Sequence, residues 1–449
     1  MAKYTNLKDL FTATADAIRS KTGGTNKIVA DEFPTAIEAI ETGKSFPNGT
    51  EWTYSNVTSG DFRTIGNANG IWVVGSYAKG LYYSTDGMTW TQSNITKGGF
   101  SSIPNANGIW IADCYSTTGL FYSTDGMTWT QSNITDAYVV KIKNANGIWV
   151  AYTTKGFYYS TDGMTWTQSN ITTGVFDSIH NANGIWIAGS RSNGLYYSTD
   201  GMTWTQSNIT TGGFSSIHNA NGIWIAGNIS DSTTGLYYST DGKTWTQSNI
   251  TKGRFESIYN ANGIWIAGSD GNYVKGLYYS TDGMTWTQSN ITTGGFSSIH
   301  NANGIWIASG TYGNSNGLYY SADGMTWTQS NITTGVFDSI HNANGIWIAG
   351  NISDSTTGLY YSTDGKTWTQ SNITKGGFDF VYNTNGIWIA SCLQYNSPVR
   401  DGLYYSTDGM TWTLSNVQYR FSKLPQYVNG VWVAYSSSGL YYSIGWQPT

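Results

Sequence analysis

The chain has 449 residues, a formal net charge of −5 and charged side chains at only 11% of positions. Mild acidity without a basic stripe excludes a nucleic-acid partner held by phosphate neutralisation, and no run approaches the roughly 20 apolar residues of a membrane span. The 33 Tyr, 21 Trp and 55 Gly exclude a disordered chain and suit short strands joined by tight turns.

The first 46 residues read as a small helical module. Leu7, Leu10, Phe11, Ala15 and Ile18 form a helical stripe that Gly23-Gly24 ends. A second short helix opens at Asp31-Glu32-Phe33-Pro34-Thr35 and runs through Ile40. So short a piece rarely buries enough surface to stand alone. It needs a surface to dock on: the rest of the chain, its own copies in a homo-oligomer, or a larger assembly. Met1-Ala2-Lys3-Tyr4-Thr5 lacks the apolar core of a secretory signal.

The segments Ala17-Ile18-Arg19-Ser20-Lys21-Thr22-Gly23, Lys27-Ile28-Val29-Ala30-Asp31-Glu32-Phe33 and Ala36-Ile37-Glu38-Ala39-Ile40 together resemble a module of phage and prophage structural proteins of Gram-positive bacteria. There it precedes varied domains of tail, baseplate or fibre proteins. The resemblance covers about a tenth of the chain and implies a virion anchor that contacts other virion proteins. It also implies assembly in the host cytoplasm, with the remainder of the chain facing outward.

Residues 47–449 are one phrase written ten times, with a period of 37–44 residues. Each copy carries a Trp in W-T-Q-S-N, from Trp52 to Trp412, and a Trp in N-G-I-W, from Trp72 to Trp432. In the copy at 214–249, a short alternating run from Phe214 to His218 is followed by Asn219-Ala220-Asn221-Gly222, a hairpin signal. Ile223–Ala226 is a second strand and Gly235–Ser239 a third. Thr240-Asp241-Gly242-Lys243 makes a tight turn, because Asp bonds local backbone and Gly accepts positive φ, and Thr244–Asn249 is a fourth strand. Four antiparallel strands per ~40 residues predict a propeller blade. The fold class is all-β: a ten-bladed β-propeller of four-stranded antiparallel blades, preceded by the helical module.

The turn between the third and fourth strands, Ser239-Thr240-Asp241-Gly242-Lys243-Thr244-Trp245, resembles the Asp-box of sialidase-type and sortilin-type propellers, one residue shorter between Asp and Gly. Nine copies carry it, at Asp86, Asp125, Asp162, Asp200, Asp241, Asp282, Asp323, Asp364 and Asp408. The resemblance implies a structural turn on the outside of the blade, not a catalytic carboxylate.

The last copy lacks a full fourth strand after Leu440–Ser443, while a spare one, Glu51–Asn56, precedes the first complete copy. Pairing the two closes the ring and removes the open edges that an alternative superhelix of blades would leave.

Turns one-to-two and three-to-four fall on one face and barely change. Loops two-to-three and four-to-one fall on the other and vary, as in Ser76–Lys79, Ser190–Asn193, Asp270–Lys275 and Ser391–Asp401. Insertions confined to one face of a repeat array mark a binding face, although unconstrained loops also drift. Loop tyrosines Tyr77, Tyr115, Tyr152, Tyr273, Tyr312 and Tyr395 offer apolar ring faces and hydroxyls to a glycan, with Arg191 and Arg400 beside them. The residue after the first-strand Phe varies as Arg63, Ser101, Asp177, Ser215, Glu256, Ser297, Asp338 and Asp379. That slot reads equally as a polar or acidic ring and as solvated rim.

Multivalent binding of a bacterial surface glycan or receptor is the leading reading. A decorating virion protein without a ligand is the alternative. A sialidase-like glycosidase is the third, weakened because its arginines are scattered and Glu256 is the only Glu beyond Glu51 in the repeats, where glycosidases need two paired carboxylates. The sequence calls for no cofactor. His180, His218, His300 and His341 share a slot that elsewhere holds Gly66, Pro104 or Lys143, a poor pattern for metal ligands. Cys114 and Cys392 fall several blades apart in a ring, too far for a disulfide. The N-I-T triplets from Asn94 to Asn372 match a glycosylation sequon but, without a secretory signal, read as strand ends. Residues 228–253 reappear at 351–376, a sign of repeat duplication.

Overall fold

The computed structural model describes residues 49–444, apart from 116–118, 230–234, 273, 313–315, 352–357, 394–401, 418–420, 422–424 and 437. The helical module expected over 1–46 lies outside the described residues. The described residues form ten four-stranded antiparallel sheets and, among them, no helix. Blades 1 to 9 span 62–92, 105–131, 139–168, 176–206, 214–247, 255–288, 295–329, 339–370 and 377–414. Blade 10 combines Gln426–Val428, Val431–Ser436 and Gly439–Ile444 with Thr53–Tyr54 from the start of the ring.

Local sequence sets each blade. In blade 5 the first strand is Phe214–Ala220, two residues longer than the alternating run suggests, so the turn is Asn221-Gly222 alone. Both residues have positive φ, 52° and 80°, the geometry that makes Asn-Gly match the twist of a hairpin. The equivalent asparagine adopts φ of 51–53° in every blade. The fourth strand is only Thr246–Gln247, shorter than predicted. Its flanking Trp and Asn are used elsewhere.

At the Asp turns, the Asp241 carboxylate accepts the N–H groups of Lys243 and Thr244, at 2.7 and 2.8 Å, and the Ser239 hydroxyl. The Gly242 N–H donates to Ser239 Oγ at 2.8 Å. The same four bonds recur at Asp86. Gly242 has φ of 71°, and a Cβ there would lie 2.9 Å from Ile185 of the preceding blade, so the turn also seats one blade on the next.

The core lies between the blades. Ten apolar clusters fill ten interfaces, each joining one blade to its neighbour. All twenty repeat tryptophans are buried. Cys114 and Cys392 are buried in different interfaces, between blades 1 and 2 and between blades 8 and 9.

A second device crosses every interface. The Asn of each W-T-Q-S-N phrase reaches the backbone of the outer Trp one blade on. Asn249 Oδ1 accepts the Trp286 N–H at 2.8 Å and Asn249 Nδ2 donates to the Trp286 carbonyl at 2.7 Å. Equivalent two-bond clamps run from Asn56 to Trp90 and from Asn416 to Trp52, so they cross the seam as well. This explains the invariance of that Asn. Both amide atoms are occupied, which leaves no free amide for glycosylation at Asn94 or Asn372.

The ring closes as the spare strand predicts. Thr53 pairs with Tyr442 and Tyr54 with Tyr441, a ladder shorter than the 51–56 expected. Phe62, Trp72 and Trp90 of blade 1 pack with Val433, Tyr435 and Leu440 of blade 10. Tyr435 Oη donates to the Arg63 carbonyl at 3.0 Å. These contacts exclude the open superhelix.

Candidate functional site

Two fixed elements hold the loops of the variable face. The fourth-strand Gln ties down the base of the two-to-three loop: Gln92 Nε2 donates to the Lys79 carbonyl at 2.9 Å and Gln288 Nε2 to that of Lys275 at 2.9 Å. At Gly80 (φ 77°) a Cβ would lie 1.9 Å from the Ile95 carbonyl oxygen, so this loop crosses its neighbour with no room for a side chain.

The slot after the first-strand Phe is a β-bulge, which no sequence signal announced. In blade 4 Phe176 pairs with Ser190 and Ser178 with Gly189, leaving Asp177 as the extra residue. The same shift leaves Arg63, Ser215, Glu256, Ser297 and Asp379 as extra residues in their blades. A bulge re-aims its side chain out of the regular alternation, which turns this slot into a display position on the rim.

What it displays differs from blade to blade. Asp177 pairs with Arg191 of its own loop at 2.8 Å. Glu256 lies 3.5 Å from Arg254, which also faces Asp270 at 3.7 Å. Asp338 Oδ1 accepts the Ser297 hydroxyl of the neighbouring blade at 3.1 Å. A continuous acidic ring therefore does not form among the described residues, because arginines beside the carboxylates offset their charge.

Blades 1 and 2 assemble an aromatic platform. Tyr77 and Tyr115, from adjacent two-to-three loops, have ring centroids 5.2 Å apart. The Arg63 guanidinium lies 5.4 Å from the Tyr77 centroid and pairs with Asp61 at 2.8 Å. Gly99 makes the space: a Cβ there would lie 2.6 Å from the Tyr115 ring. Tyr77 keeps 49% of its surface exposed. Beneath it the Tyr115 hydroxyl is buried with no hydrogen-bond partner among the described residues, and burial, then Tyr77, pushes its phenol up to about 12.

The remaining predicted positions divide. Tyr152 is not a surface residue but is buried against Phe157 and Phe176, because in blade 3 the second strand runs on through Thr153. Tyr312 ends the strand Ile305–Tyr312, and Asp379 sits in the strand Gly377–Thr384. Tyr273, Tyr395 and Arg400 lie outside the described residues. Sequence reasoning missed the exposed Tyr138, Val140 and Val175 on the same face of blades 3 and 4. The signal was present, since Tyr138-Val139-Val140-Lys141 stands where other copies have Gly-Phe-Ser-Ser.

On the opposite face the Asp turns are engaged by their own backbone. Burial alone would raise the Asp86 carboxyl; the N–H groups of Thr89 and Met88 and the Ser84 hydroxyl outweigh it and hold the group below the ordinary carboxylate range. At Asp162 the Thr165 N–H is the largest influence, with the same net lowering. The four histidines sit on inner strands. Burial, then Lys143, His218 and Lys141, pulls His180 down to about 4. Burial, then His341, pulls His300 down to about 4.

No protein-family model matches the chain, and no curated protein sequence matches it. Solved structures similar to it include the computationally designed protein Ika8, at 9% identity over 66% of this chain and 93% of that one, with a TM-score of 0.44. YCF48 from Cyanidioschyzon merolae is similar at 14% identity over 60% of this chain and 97% of that one, with a TM-score of 0.34. PorZ, a surface component of the type-IX secretion system of Porphyromonas gingivalis, is similar at 12% identity over 86% of this chain and 68% of that one, with a TM-score of 0.37. The blade count rests on this chain's own strand pairing.

Proposed function

We propose that the propeller is a non-catalytic, multivalent binding module of a phage or prophage particle, anchored to other virion proteins through residues 1–46 and reading a glycan of the host surface with its variable face. The observation that carries this reading is the Tyr77–Tyr115–Arg63 platform. The half-exposed Tyr77 ring offers apolar surface to sugar C–H groups, and its own hydroxyl and the Arg63 guanidinium beside it supply polar contacts. The rim bulges repeat a display position around the ring, and linked weak sites gain roughly 10²–10⁴ in avidity on a repetitive target. Turnover is not part of the proposal, because rim carboxylates such as Asp177 and Glu256 already face arginines. A glycan array and intact-cell pull-down with the full chain test it. Binding should be retained by wild type and weakened by Tyr77→Ala. An array and cells that retain nothing, beside normal incorporation into particles, would leave a purely decorating role.

A further inference from the structure

The seam of the ring holds a cavity of ≈ 680 Å³ between the inner strands of blades 9, 10 and 1. Phe380, Tyr382 and Tyr427 line it with aromatic surface, and Thr64, Thr384 and Gln426 with neutral polar groups. No charged side chain is among its described lining residues.

The other blades serve as internal controls, since each places the same slots in the same setting. Phe380 stands where seven of the first eight blades have Ser or Thr. Thr384 stands where all eight have Ala, and Tyr427 where all nine other blades have Asn. The departures from the repeat therefore converge on one space. Phe380 and Tyr427 also pack against the core between blades 9 and 10, while further closure contacts lie at Thr53–Tyr54, at the Asn416–Trp52 clamp and in the cluster around Phe62 and Leu440. Part of the polar equipment is already oriented: Gln426 Nε2 donates to the Ile65 carbonyl at 3.2 Å, and Tyr427 Oη accepts from Asn385 Nδ2 at 3.1 Å.

We infer that this cavity is a single binding site for a neutral saccharide, separate from the loops of the variable face. Aromatic faces suit the C–H side of a pyranose ring. Threonine hydroxyls and a carboxamide suit its OH groups, and the described lining residues, all uncharged, suit a neutral ligand. The volume falls within the usual range of small-molecule pockets, which admits a short oligosaccharide.

The test is calorimetry and saturation-transfer NMR on the full chain with maltotriose, cellotriose and triacetylchitotriose. At least one should bind with a stoichiometry of one per chain. Phe380→Ser/Tyr382→His gives blade 9 the residues that blade 8 has at Ser339 and His341. It should weaken binding by at least ~10-fold, and Tyr427→Asn should do the same. Tyr77→Ala should leave this binding unchanged, which separates failure here from failure of the variable-face proposal. The melting temperature of each variant shows whether its fold is intact. If none of the three sugars binds at about 10 mM, or if both folded seam variants bind as wild type does, the site is not there.

Discussion

The two faces of the ring use the same repeats in opposite ways. On one, the Asn-Gly turns hold φ of 51–53° at every asparagine, and nine Asp turns repeat the same hydrogen bonds. On the other, one fixed slot carries an arginine over a tyrosine in blade 1, an ion pair in blade 4 and a three-member charged cluster in blade 6. The invariant face carries the geometry and the interfaces, whereas the variable face is built on a bulge that strand pairing does not constrain. The lesson is that identity among copies marks load shared between blades, and variation marks positions that neighbouring blades do not need.

Substitutions should separate these roles. Trp224→Ala, in the interface of blades 4 and 5, should cost about 3–5 kcal/mol in denaturant unfolding without touching the variable loops. A loss under about 1 kcal/mol would mean that the blades do not depend on these interfaces. Asn416→Ala removes the clamp on Trp52 at the seam. It should cost about 1–3 kcal/mol, because two backbone groups lose their partner. Amide exchange at 53–55 should quicken more than at any internal clamp, since the chain is not continuous across the seam.

Acid should act on the invariant face and the inner strands in two stages. His180 and His300 titrate near 4 in the fold, below the ordinary value of 6.5. Between those pH values the unfolded chain takes up protons that the folded chain does not, so stability declines as pH falls from 6.5 to about 4. His180→Gln with His300→Gln should flatten that stage. The Asp turns act lower. Their folded values lie below the ordinary 3.8, so their stabilisation is present above 3.8 and is lost as pH falls through the folded value. Asp241→Asn should lower stability at neutral pH and soften this second stage, read from unfolding midpoints at successive pH values. The smallest stability effect belongs to the variable face. Tyr77→Ala should change unfolding by no more than about 0.5 kcal/mol while it weakens glycan retention. A large stability loss there would show that Tyr77 is a packing residue.

Much of the ring was legible because its signals are local. Asn221-Gly222 specifies its turn through two positive φ values, and Ser239 to Gly242 builds its own hydrogen-bonded turn within four residues. The spare strand before the first complete copy foretold the pairing of Thr53–Tyr54 with Tyr441 and Tyr442. The candidate site was legible in its face and in Tyr77 and Tyr115, but not in its pairings. Loop tyrosines alone gave no sign that Tyr152 would be buried or that Arg63 would lie over Tyr77.

By itself the sequence determined the number of blades, the turn chemistry and the strand that closes the ring, since period and backbone preference are properties of neighbouring residues. Only the tertiary structure decided what each side chain meets across a blade boundary. Asn249 finds its partner 37 residues away at Trp286, and the bulge at Asp177 exists only as a mismatch between two paired strands. The seam cavity exists only where the two ends of the array meet. Such partners are set by the rotation from one blade to the next, which no local stretch of sequence encodes.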